Sequence, residues 1–124
     1  MEIKKISAEE SLPIRQAVLR KGKPLTTCIF EGDERTDTFH FGAVEKEKIL
    51  GIVTLLPHRN PKFNSQSQYQ LRGMAVLPEA RGKGLAKMLL EKSEKQLSIR
   101  NIEILWCNAR EKAVGFYEKQ LFEI

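Results

Sequence analysis

Long apolar runs are missing from this 124-residue chain. Nothing in it approaches the roughly 18 consecutive apolar residues that mark a membrane span. The first ten residues, MEIKKISAEE, contain no apolar core of a secretory signal. Cysteine is scarce: there are two, Cys28 and Cys107, with no metal-ligand or redox spacing. That excludes a disulfide scaffold or a zinc ribbon, and a reducing, cytoplasmic setting is expected. Aromatic residues make up 7% of the chain, and no basic run carries them interleaved. The stacking platform of a nucleic-acid binder is therefore not visible, although the formal charge of +5 keeps a small basic nucleic-acid-binding protein as an alternative. Repeats, linkers and low-complexity segments are also absent, so residues 1–124 read as one domain.

What remains is an ordinary soluble composition, 41% hydrophobic and 30% charged, large enough for one core. Lys4, Lys5, Arg15, Arg20, Lys21 and Lys23 load the N-terminal segment with positive charge. Glu31, Asp33, Glu34 and Asp37 load one loop with negative charge. A short strand is expected over 1–6. Ser7 and Glu10 have capping-box spacing for a helix whose apolar face carries Ile14, Ala17 and Val18. Pro13 leaves two readings: Ser11 is the true cap, or the helix kinks. Strands are expected over 26–30, 39–43, 49–56 and 69–77, with Gly73 marking a bulge or a close backbone approach. A helix with Leu85, Met88, Leu89 and Leu97 on one stripe runs to about residue 99, and a strand follows to Cys107. Asn108 and Glu111 signal the start of a last helix with Ala113, Phe116 and Tyr117 on one face. Short turns imply antiparallel pairing, and the strand–helix–strand unit over 69–107 implies one parallel pair. The sheet is mixed α/β.

The stretch LPEARGKGLAKMLL, residues 77–90, puts the most flexible and the most positive residues where a helix begins. A helix start exposes about four unpaired N–H groups and about half a positive charge. Glycines let that backbone close around a ligand, and the product is an anion site. Arg81, Lys83 and Lys87 add full charges beside it; the plainer alternative is a helix start with surface cations. The nucleotide P-loop pattern is absent. The dinucleotide fingerprint fails because Lys87 stands in its last glycine place and because antiparallel strands precede it.

Arg81-Gly82-Lys83-Gly84-Leu85-Ala86 matches the [R/Q]-x-x-G-x-[G/A] pattern of the GNAT superfamily of N-acetyltransferases. The likeness extends on both sides. LRGMAVLPEARGKGLAKMLL resembles the family's fourth strand, pyrophosphate loop and helix, and LWCNAREKAVGFYEKQLFEI resembles its fifth strand and its A-x-x-F-Y helix. The resemblance implies an acyl-CoA N-acyltransferase fold, a mostly antiparallel sheet with one parallel pair at a splayed V, flanked by helices. It implies acetyl-CoA as co-substrate, with no metal. Backbone groups of Met74, Ala75 and Val76 would hold the pantetheine arm, and residues Gly82 to Ala86 with Arg81 the pyrophosphate. Asn108, Ala113 and Phe116 would flank the thioester end. An N–H near Val76 would stabilise the oxyanion, and Tyr117 would protonate the leaving thiolate; core packing is its alternative role.

A primary amine of a small molecule or peptide is the expected acceptor, with no nucleic-acid or membrane partner. The family's fourth-strand carboxylate, often its general base, has no counterpart in residues 69–74. Glu31, Asp33 or Glu34 could act through water, or be solvated surface; His40 could line the acceptor cleft, or be a surface or satisfied histidine. Arg72 and Arg15 could bind an anionic acceptor, or be surface charges. Cys107 reads as a small apolar strand residue. The family also has two strands beyond the F-Y helix, so the domain reads as C-terminally short. A homodimer covering that sheet edge is then expected, and a non-catalytic acyl-CoA-binding module is the other alternative.

Overall fold

The computed structural model describes residues 1–59, 61 and 66–107. Its elements are β1 (Glu2–Lys5), α1 (Ala8–Val18), a 3-10 turn (Leu25–Cys28), β2 (Phe39–Glu45), β3 (Lys48–Pro57), β4 (Gln68–Val76), a second 3-10 turn (Pro78–Ala80), α2 (Leu85–Ile99) and β5 (Ile104–Cys107). The sheet order is β1-β2-β3-β4-β5. Neighbours pair antiparallel through β4, and β5 joins β4 in parallel. The mixed sheet with a single parallel pair, read from connection lengths, is the observed one.

Ser7 is the helix cap. Its hydroxyl accepts from the Glu10 N–H at 3.0 Å, and the Glu10 carboxylate accepts from the Ser7 N–H at 2.8 Å. Pro13 lies inside α1 without ending it. The stripe that α1 buries is Ser11, Ile14 and Arg15, whereas Ala17 is exposed. An arginine thus occupies a position that apolar periodicity would not assign to it.

The strand expected over 26–30 is instead the turn Leu25–Cys28. Pro24 fixes its own φ, and its carbonyl accepts from both the N–H and the hydroxyl of Thr27, at 3.0 and 2.6 Å. Those local bonds outcompete the β-branched preference, which expresses itself only beside a neighbouring strand. The place beside β2 is already taken by β1.

The hairpin between β2 and β3 turns through Lys46 and Glu47, both at positive φ, the backbone sense that matches strand twist. Side chains alternate across the sheet. Phe39, Phe41 and Tyr69 stack on one face, the face α2 covers with Leu85, Leu89, Leu90 and Leu97. His40, Thr54 and Arg72 share a register row on the opposite face, where α1 packs against β3 and β4. Every one of these contacts removes apolar area from water at roughly 25 cal/mol per Å², so the five strands and two helices share one core.

Candidate active site: a splayed strand pair and an uncapped helix start

The β4–β5 ladder runs from Gln68 opposite Ile104 to Leu71 opposite Cys107. Beyond Leu71, β4 continues to Val76. Among the described residues it is bonded there on its β3 side alone, with Ala75 opposite Ile52 and Val76 opposite Gly51. β4 carries a bulge against β3 in this stretch. Thr54 pairs Arg72 and Ile52 pairs Ala75, so Gly73 and Met74 together oppose Val53. Gly73 takes φ +58°, which a residue with a Cβ adopts only at a cost. Sequence reasoning marked this glycine, and the structure shows that it forms a bulge in β4 against β3.

From the end of β4 the chain passes through the second 3-10 turn into the glycine-rich corner. Gly82 and Gly84 stand at φ +84° and +77°, and a Cβ on either would meet nothing within 4 Å. No side chain caps α2 at Gly84, and the first backbone bond of the helix runs from Met88 N–H to the Gly84 carbonyl at 3.1 Å. The amides of the first turn therefore have no side-chain cap, open space adjoins both glycines, and the positive end of the helix lies behind them. Arg81, Lys83 and Lys87 are exposed around the same corner. Arg81 Nε donates to the Val76 carbonyl at 3.2 Å. One side chain thus spans the distance from the glycine-rich corner to the end of β4.

The remaining candidates separate clearly. Met74 and Val76 are half-buried on β4, and Ala75 is buried. Leu85 is a core residue of α2, and Ala86 is half-buried in its first turn. Asn108, Ala113, Phe116 and Tyr117 lie outside the described residues. Cys107 is buried in the apolar cluster, as expected of a small strand residue.

Two candidates for the acceptor side have other work. Asp33 belongs to no solvated loop: it is buried and holds the Arg15 guanidinium through both carboxylate oxygens, at 2.6 and 3.0 Å. His40 faces away from Phe39 and Phe41 and is buried. Its Nδ1 lies 2.8 Å from Thr54 Oγ1 and its Nε2 3.0 Å from the Asp33 carbonyl. A carbonyl can only accept, so Nε2 carries a hydrogen, and in the neutral imidazole Nδ1 accepts from the Thr54 hydroxyl. Arg72 is half-buried, 5.3 Å from the Phe30 ring centroid. Sequence reasoning missed the Arg15–Asp33 pair, because residues 18 apart in a helix and a loop carry no spacing signal.

A mixed sheet with one parallel pair among the described residues, and an uncapped glycine-rich helix start following its bulged fourth strand, is the architecture of an acyltransferase. The sequence profile of the acetyltransferase (GNAT) family matches residues 6–122, and the chain belongs to that family. An uncharacterized N-acetyltransferase of Bacillus subtilis (strain 168), YitI, is 31% identical over 119 residues, covering 96% of this chain and 80% of that protein. Among solved structures, a GNAT family acetyltransferase from Brucella melitensis in complex with acetyl-CoA superposes with a TM-score of 0.75 at 20% identity. That match covers 96% of this chain and 80% of the other. A ribosomal-protein-alanine N-acetyltransferase from Brucella melitensis biovar Abortus 2308 gives 0.73 at 22% identity, over 98% and 91% of the two chains. The protein is an acyltransferase of this family.

Proposed function

We propose that the protein transfers an acetyl group from acetyl-CoA to a primary amine of a small molecule or peptide, by direct attack of the amine on the thioester. The observation that carries this reading is the adjacency of the bulged end of β4 and the uncapped helix start, joined by Arg81. A pantetheine arm carries amides that can pair with a strand edge, and its pyrophosphate suits uncapped amides with cations beside them. The Brucella relative solved with acetyl-CoA supports the same co-substrate.

In this reading Met74 to Val76 bind the arm, and Gly82 to Ala86 with Arg81 and Lys83 bind the pyrophosphate. Asn108, Ala113 and Phe116 flank the thioester. An amide near Val76 faces the developing oxyanion. An alkyl thiolate has a pKa of about 8.5 and a tyrosine about 10, so Tyr117 can return a proton to the departing sulfur near neutral pH. Both His40 nitrogens are occupied by protein partners, and Asp33 is committed to Arg15. The amine's proton is therefore assigned to a water route and not to either group.

The test is acetyl-CoA-dependent release of free thiol across a panel of small amines and peptide N-termini. Thiol release that rises with one amine class supports the reading. CoA binding without acceptor-dependent release across the panel would favour a non-catalytic acyl-CoA-binding module. Self-association through the β5 edge belongs to the same proposal, and light scattering at micromolar concentration reads it.

A further inference from the structure

Arg15 is the largest fully buried side chain of the described residues, and its surroundings are built in detail. Nη1 donates to the Cys28 carbonyl at 2.8 Å and to Asp33 Oδ2 at 2.6 Å. Nη2 donates to Asp33 Oδ1 at 3.0 Å and to Thr54 Oγ1 at 2.8 Å. The guanidinium carbon lies 4.0 Å from the Phe30 ring centroid. The remaining donor, Nε, is buried without a partner. It sits at the bulge: a Cβ on residue 73 would lie 3.4 Å from Arg15 Nε and 3.2 Å from Phe30 Cε2.

The pair is a poor device for stability alone. Two desolvated charges recover about what an apolar pair of the same volume would supply, and an unpaired buried donor adds a cost. Its geometry instead brackets one feature. Thr54, which Arg15 holds through Nη2, is the register partner of Arg72, the residue before the bulge. Gly73, against which Nε rests, is the bulge itself. The guanidinium therefore touches the β3 partner of the residue before the bulge and lies against the bulge residue itself. Losing that offset would shift the register by one and turn Met74 and Val76 to the other face of the sheet. The strand edge assigned to the acyl donor would then present the wrong groups.

We propose that Arg15, clamped by Asp33 and backed by Phe30, is a positioning residue that locks the Gly73 bulge and so holds β4 in the acyl-donor-binding register. The inference rests on the acetyl-CoA reading above for its functional consequence, but the lock itself can be read without ligand.

The experiment compares the wild type with Arg15→Met/Asp33→Leu, which removes both charges, and with Arg15→Lys, which keeps a cation but loses the fork. Each is measured by amide hydrogen exchange at residues 73–76 without ligand and by CoA titration, well below its melting temperature. Exchange at 73–76 is expected to quicken about tenfold or more in both variants, and CoA affinity to fall by a similar factor. Exchange in the α2 core is expected to change little in the double variant. A merely structural role predicts the reverse, with apolar replacement leaving both readouts at wild-type values. If the double variant does not fold, Arg15→Lys decides alone. Wild-type exchange and CoA affinity in a folded variant overturn the proposal. A wild type that fails to bind CoA overturns the acetyl-CoA reading, and the exchange arm then still decides the lock.

Discussion

Two single residues carry local arguments that can be checked one atom at a time. Glu10 closes the capping box of α1, and the Ser7 N–H bonded to its carboxylate, followed by the Ser7 side chain, holds its pKa below the ordinary range. A carboxyl lowered on folding stabilises above its unfolded pKa and loses that contribution as pH falls through the folded one. The wild type is therefore expected to melt higher than Glu10→Gln at pH 7, with the gap closing below about pH 4. Thermal melts of both across pH 7 to 3 check this, and a gap independent of pH would remove Glu10 from the account. Tyr117→Phe deletes one hydroxyl and keeps the ring. If Tyr117 supplies the thiolate's proton, turnover should drop roughly a hundredfold with CoA affinity little changed. Steady-state rates that match the wild type would leave Tyr117 as a packing residue.

At the scale of an element, β4 is the informative strand. A strand over 69–77 was legible, and Gly73 stood out in the sequence, yet a glycine in a strand announces only that something approaches or bends. The structure identifies both causes at once: a positive φ and the contact with Arg15 and Phe30. Gly73→Ala would place a Cβ into that contact at an unfavourable dihedral. A loss of about 1–2 kcal/mol is expected from the backbone alone, read by urea unfolding, together with weakened CoA binding. An unchanged unfolding midpoint would mean that the bulge relaxes freely. The turn Leu25–Cys28 shows the opposite case. Its β-branched residues looked like a strand, and a proline carbonyl with a threonine hydroxyl settled the matter locally.

For the molecule as a whole, ligand linkage is the sharpest observable. A ligand that binds the folded state alone stabilises by about 2.7 kcal/mol at a hundredfold excess over its Kd. For a domain of this length that corresponds to a rise in Tm of roughly 10 °C. CoA at such a concentration is expected to produce that rise in the wild type and little of it in Gly84→Val. The comparison must use the shift on adding CoA, because valine at φ +77° lowers the starting Tm by itself. An equal CoA shift in Gly84→Val would show that the pyrophosphate lies elsewhere.

The glycine corner with its three cations, most of the buried stripe of α2, and the single parallel crossover are written in the sequence itself. They depend on spacing, and spacing within one element or one turn is visible along the chain. Three matters were decided only in three dimensions. Arg15 and Asp33, each plausible as a surface charge, are buried against each other, because α1 and the 29–38 loop close over the same sheet face. His40 is engaged on both ring nitrogens, because Thr54 stands opposite it on β3 and the Asp33 carbonyl folds over it. The bulge in β4 is set where Gly73 and Met74 together face Val53 on β3, with Arg15 and Phe30 beside it. Each of these joins residues far apart in the chain, where periodicity carries no information and only the packed sheet determines which groups meet.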